Sequence, residues 1–258
     1  MAERVYPPVI RAAILSFRAL GMTVDVTGHD NIPATGGAVI ASNHVSYLDF
    51  IFVGLPPWQA QRRLTRFMAK DAVFRHRVSG PLMRGMHHIP VDRDAGTASF
   101  RAALKALKDG ELVGVFPEAT ISRSFTVKEL KSGAIRMAAA AKVPIIPTAV
   151  WGGQRMFTKG HPRKLSWGRT VSIAVGEPMR VATRDDMAAA TDDLHSRLQA
   201  LLDDVQRRHP DTADPGPHAW WLPAHLGGAA PTPEQAKAMD DEERAGRAGG
   251  ARDRRHRT

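Results

Sequence analysis

The stretch GAVIASNHVSYLDFIFVGL, residues 37–55, runs from one apolar segment through a polar turn into a second apolar segment. GAVIAS (37–42) stays apolar up to Ser42 with no polar alternation. Such a run fits a strand covered on both faces, as in a parallel sheet. DFIFVGL (49–55) reads as a short helix. In open α/β sheets ligands bind beyond the carboxyl ends of strands, and this turn carries His44 and Asp49, five positions apart. A strand–turn–helix junction can bring two such side chains into contact. A neutral imidazole held by a carboxylate has one nitrogen protonated and the other free to take a proton. Ser46 and Asp49 also fit the Ser-x-x-Asp capping pattern, so the carboxylate serves the helix start, the histidine, or both. The same His-x4-Asp spacing recurs at His87/Asp92 and His209/Asp214. The first of these spans a strand candidate that would hold the residues apart, and the second lies in a proline-rich loop.

Outward from this stretch, short β-rich runs alternate with helical ones. Strands are expected at 23–26, 37–42, 66–69, 87–91, 112–116, 144–150 and 171–175. Ala95 to Asp109 reads as a helix, with Phe100, Ala103, Leu104 and Leu107 on one stripe and Gly110 as its stop. Lys131 to Ala141 reads as another. A last helix is expected from about Arg184 to Arg208, opened by Thr183 with Asp186 at the capping-box position. The alternation predicts a single α/β domain built on a mixed, mostly parallel sheet covered by helices. Beyond it, HPDTADPGPHAWWLPAHLGG (209–228) is too rich in proline and glycine for regular structure, yet Trp220, Trp221 and Leu222 are too apolar for a solvated linker. They are expected to pack back on the domain. From 229 the chain is polar and repetitive in charge, and is expected to be a disordered tail.

At the other end, Pro7 and Pro8 can open a helix in which Val9, Ile10, Ala13, Ile14, Phe17 and Leu20 fall at helical spacing, with Arg11 and Arg18 on another face. This is the outline of a helix lying in a membrane interface, or of one packed on the protein's own core. No apolar run reaches the roughly 18–20 residues of a membrane-spanning helix. The absence of cysteine excludes disulfides, thiolate metal sites and a cysteine nucleophile. The formal charge of +10 asks for an anionic partner. The tail from 229 holds seven basic and six acidic residues, so +9 belongs to the body. Nucleic acid is not the expected partner, because the basic residues are scattered and no zinc-finger or RNA-recognition signature accompanies them.

Three further strand ends carry special residues: Asp92-Arg93-Asp94 after 87–91, Pro117-Glu118-Ala119-Thr120 after 112–116, and Val143-Pro144 opening 144–150. Arg93 fits either a surface ion pair or a bidentate phosphate clamp. Arg123, Lys128 and Lys131 follow the Glu118 turn and add positive potential, or form a solvated basic face.

Taken together, Asn43-His44-x4-Asp49, Pro90-Val91-Asp92-Arg93, Phe116-Pro117-Glu118 and Val143-Pro144-Ile145-Ile146-Pro147 resemble the four ordered blocks of the glycerolipid acyltransferases, in the branch of the bacterial 1-acylglycerol-3-phosphate (lysophosphatidate) acyltransferases. The resemblance covers about residues 20–180. Lys70 in FMAKDAVF and Leu130-Lys131-Ser132-Gly133-Ala134 fit the intervening pattern. It implies transfer of a fatty acyl group from acyl-CoA or acyl carrier protein, as co-substrate, to a glycerol hydroxyl in phospholipid biosynthesis. His44 would be the general base and Asp49 would orient it. Arg93 would bind the acceptor phosphate, with Lys70, Arg123 and Lys131 as further phosphate contacts. Asn43, Glu118, Ala119 and Thr120 would shape the acceptor pocket, while Pro117 and Pro147 would support the acyl site or the framework. Neither a metal nor another cofactor is implied. No enzyme nucleophile is needed, which agrees with the missing cysteine and the missing Gly-x-Ser-x-Gly elbow. The chain would then divide into an N-terminal membrane-interface helix (1–21), an acyltransferase domain (22–228) and the tail (229–258). It would sit peripherally on the cytoplasmic face of the cell membrane, on an anionic phospholipid surface.

The third block departs from the usual Phe-Pro-Glu-Gly-Thr-Arg-Ser. Ala119 stands where a glycine is usual and Ile121 where an arginine is usual. That leaves lysophosphatidate, glycerol 3-phosphate and another lysophospholipid as acceptors. A non-catalytic lipid-binding relative is the alternative from another class.

Overall fold

The computed structural model describes residues 3–92, 96–211 and 218–255, with the side chains of the last helix described through residue 246. Seven strands, β1 (Thr23–Thr27), β2 (Ala38–Ser42), β3 (Thr65–Lys70), β4 (Ile89–Val91), β5 (Leu112–Val115), β6 (Ile145–Trp151) and β7 (Thr170–Val175), form one sheet in the order β1-β7-β6-β2-β5-β3-β4. Every pairing is parallel except β6 with β7. β2, β5 and β6 are buried along their whole length. This is why their sequences are continuous apolar runs and do not alternate.

The helices are α1 (Tyr6–Ala19), α2 (Asp49–Val53), α3 (Leu55–Gln61), α4 (Asp71–Arg75), α5 (Ser79–Gly85), α6 (Gly96–Lys108), α7 (Gly133–Ala141), α8 (Met187–Arg208) and α9 (Pro233–Arg255). On one face Val39, Ala41, Val113, Ile145 and Ala149 pack against α6, α7 and α8. On the other Ala38, Ile40, Leu112, Ile146 and Val150 pack against α2, α3 and the end of α1. Neighbouring residues of a strand thus enter opposite cores, as the two-residue period of a strand requires.

One open reading is decided and two expectations need correction. Of the two readings of α1, its apolar stripe takes the one in which it packs on the protein's own core. Tyr6 and Ile10 are buried in a cluster with Trp58, Phe74, Met83 and Met86, and Phe17 stacks on Phe52 at 5.2 Å. What α1 presents outward is Arg11, Leu15 and Arg18. An amphipathic period shows that a face is apolar but not what will cover it. First, the tail is not disordered from 229. α9 begins at Pro233 under a Thr232 cap whose hydroxyl accepts from the Gln235 N–H at 3.3 Å, and it docks through Ala236 and Asp240. Its low apolar content points away from a helix packed by hydrophobic burial; charge holds it instead. Second, α8 starts at Met187 rather than near Arg184. Asp186 is itself the N-cap, accepting from the N–H groups of Ala188 and Ala189 at 2.8 and 3.3 Å, in preference to the Thr183 box. Trp221 does pack back, against Trp151 and under the Arg155 guanidinium.

Candidate active site

Because β2 to β6 run in the same direction, their carboxyl ends share one edge of the sheet. β2 delivers Asn43 and His44 to that edge, β5 delivers Phe116 to Glu118, and β3 and β4 end side by side with Lys70 registered on Val91.

At the turn after β2, His44 Nδ1 lies 2.9 Å from Asp49 Oδ2. The same oxygen accepts the N–H groups of Val45 and Ser46, each at 2.7 Å. One carboxylate therefore closes the start of α2 and orients the imidazole, so both readings of Asp49 hold at once. Ser46 Oγ accepts from the Leu48 N–H at 3.1 Å, completing a local cap. Asp49 is fully buried, and burial pushes its pKa up against the opposing pull of His44 and the two N–H donors. In the neutral tautomer that donates Nδ1–H to Asp49, Nε2 carries the free lone pair; the imidazole is 20 % exposed.

The ring is held from the other side as well. Phe116 stacks on it at 4.3 Å and 20°, and Phe67 stacks on Phe116 at 6.1 Å and 12°. Phe67 reaches across from β3 over Gly114 of β5, where a Cβ would lie 2.4 Å from its ring. Gly114 is thus required for the aromatic stack that fixes His44.

Glu118 joins the two turns. Its Oε1 accepts the His44 N–H at 2.7 Å and its Oε2 accepts the Lys128 N–H at 3.1 Å. Burial pushes its pKa up to about 8, against those two donors. Ser122 N–H donates to the His44 carbonyl at 2.7 Å, a second tie between the turns. Ala119 takes φ +61°, the left-handed conformation for which glycine is the easy residue. Ile121 is buried and Thr120 is half-buried, its hydroxyl accepting from Lys128 Nζ at 2.7 Å.

The other candidates are scattered. Asn43 does not face a pocket. Its amide donates to the Val150 carbonyl at 3.1 Å and accepts the Val150 N–H at 2.8 Å, strapping the end of β2 to β6. Pro147 lies inside the sheet, registered on Ala41, as a framework residue. Pro117 is buried, and its carbonyl accepts the N–H of the exposed Lys131 at 2.9 Å. Arg123 pairs with Asp240 and Glu243 of α9. Arg93 lies outside the described residues. Of the two look-alike spacings, His87 pairs with Glu3 at 3.3 Å, and the buried His209 bonds Ser172 at 2.9 Å, while Asp214 lies outside the described residues. No local sequence signal marks Phe116 as the stacking partner of His44, or Lys159, whose ammonium meets Asp240 and Glu243 at 2.6 Å. Among the described residues no cluster of three or more His, Asp or Glu is arranged to hold a metal ion.

A parallel sheet with a histidine–carboxylate pair at its strand ends is the layout of an α/β enzyme. A family model described as Acyltransferase matches residues 23–151, half the chain. A 1-acyl-sn-glycerol-3-phosphate acyltransferase of Bacillus subtilis (strain 168) is 34% identical over 73% of this chain and 91% of its own length. The 1-acyl-sn-glycerol-3-phosphate acyltransferase alpha of Mus musculus is 30% identical, over 76% of this chain and 70% of its own. In fold, the crystal structure of the 1-acyl-sn-glycerophosphate (LPA) acyltransferase PlsC from Thermotoga maritima superposes with a TM-score of 0.65 at 20% identity, covering 80% of this chain and 81% of that one. The chain belongs to the acyltransferase family and is an acyltransferase enzyme.

Proposed function

We propose that the protein moves a fatty acyl group from a thioester donor, acyl-CoA or acyl carrier protein, to the free hydroxyl of 1-acylglycerol 3-phosphate. The observation that carries this is the 2.9 Å bond between His44 Nδ1 and the buried Asp49, which supports Nε2 of the partly exposed ring as the base. The acceptor oxygen bonds to the thioester carbonyl carbon as its proton passes to Nε2. The carbon–sulfur bond then breaks, and the proton goes from Nε2 to the departing thiolate. Asp49 stabilises the imidazolium between these events. The thioester is the co-substrate, and no other cofactor enters the step. The activity for which the Bacillus and mouse relatives are named supports the acceptor.

Among the described residues no helix is long and apolar enough to cross a membrane. The reading that fits is peripheral attachment on the cytoplasmic face, with the basic body toward anionic headgroups and the outward Arg11, Leu15 and Arg18 of α1 at the surface. Purified protein with acyl-CoA should acylate lysophosphatidate in preference to glycerol 3-phosphate and neutral lysolipids. Binding to anionic vesicles with transfer to none of these acceptors would overturn the reading and leave a lipid-binding protein.

A further inference from the structure

Apart from the dyad, the densest charge cluster among the described residues joins three cations from two loops to two carboxylates of α9. Asp240 accepts from Lys128 Nζ at 2.5 Å, Lys159 Nζ at 2.6 Å and Arg123 Nε at 3.3 Å. Glu243 accepts from Arg123 Nη2 at 3.1 Å and Lys159 Nζ at 2.6 Å. Asp240 is buried, and although burial pushes its pKa up, the two lysines outweigh that and hold it at about 2.

The cluster adjoins the reacting turn. Lys128 donates its N–H to Glu118, the residue that also receives the His44 N–H, and its ammonium to Thr120. Lys159 follows Thr158, whose hydroxyl donates to the Val45 carbonyl at 2.6 Å. α9 contributes little apolar burial here. Among its described side chains only Ala236 and Asp240 are buried, with Glu243 half-buried on the same face. An attachment made mostly of charge is weakened by competing anions. A phosphate monoester carries about the same charge as two carboxylates and offers three acceptor oxygens. Exchanging one for the other leaves the charge of the cluster nearly unchanged.

We propose that Arg123, Lys128 and Lys159 form a phosphate-monoester site beside the His44 turn, and that α9 is a displaceable strap occupying it through Asp240 and Glu243. The placement of a phosphate there rests on the acyl-transfer reading; the strap itself rests on the contacts alone. The phosphate can belong to the acceptor headgroup or to coenzyme A, which share this chemistry.

Hydrogen exchange of the full chain tests it, following the amides of 233–246 with glycerol 3-phosphate, coenzyme A or sodium chloride at matched ionic strength. Displacement predicts faster exchange, by about fivefold or more, with one of the phosphate compounds and not with chloride. Which compound acts identifies the source. Because coupling is reciprocal, Glu243→Gln should tighten that compound by a similar factor, and Lys159→Ala should weaken it. Exchange that no phosphate compound changes, or a Glu243→Gln variant with unaltered phosphate affinity, would overturn the strap. Exchange that responds in a protein without transferase activity would leave the strap standing and remove the acyl-transfer reading. Transfer activity with an unresponsive α9 would do the reverse.

Discussion

The two turns that meet at the candidate active site hold their key side chains in different ways. The turn after β2 is closed by neighbours: Asp49 binds His44, Val45 and Ser46, all within five residues of it. The turn after β5 is held by distant chain. It leans on His44 through Glu118 and Ser122, and its cations are met by α9, more than a hundred residues away. Its backbone also stores strain at Ala119, whereas no residue from Asn43 to Asp49 has positive φ. The His44–Asp49 pair is thus held by its own turn, whereas the cations of the Glu118 turn depend on tertiary contacts.

The sharpest way to break this contrast is at the base. His44→Ala should lower kcat by about 10³–10⁴-fold in the acyl-transfer assay, and Asp49→Asn by roughly 10²-fold, with the fold intact by circular dichroism. Loss of less than tenfold in His44→Ala would remove the dyad from the mechanism. Next in size, Asn43→Ala leaves the N–H and carbonyl of Val150 without their partner in a buried setting. Denaturant unfolding should show a loss of about 2–4 kcal/mol, which a pocket-facing asparagine would not produce.

Glu118 tests the link between the turns through pH. Its pKa is raised to about 8 in the folded chain, from an ordinary value near 4.5. Its contribution to stability is therefore fully present below about 4.5 and lost as pH rises through 8. Unfolding free energies measured at pH 5 and pH 8.5 should fall more steeply in the wild type than in Glu118→Gln. Equal slopes would contradict the burial of this carboxyl. The smallest effect is at Ala119. Replacement by glycine relieves a left-handed residue but loosens the unfolded chain, for a net gain of up to about 1 kcal/mol. A loss of stability there would mean that the alanine methyl makes a contact worth more than the strain.

The sequence by itself determined the sheet and the dyad. Several strand candidates are continuous apolar runs, as in strands buried on both faces, and all seven strands lie where the β-rich segments are, within a residue or two. His44 and Asp49 could be paired on paper because a strand–turn–helix junction can bring residues five apart into contact, and the cap pattern names its carboxylate. Even the glycine-like backbone at Ala119 was legible as a departure from the family's motif. Tertiary structure alone decided what covers each surface. Nothing local says that the stripe of α1 meets Trp58 and Met83, that Asn43 is consumed by Val150, or that a polar tail forms a helix whose Asp240 finds Lys128 and Lys159. Periodicity and charge give the character of a face; its partner is set by the chain's return from far away, where no sequence spacing can measure the distance.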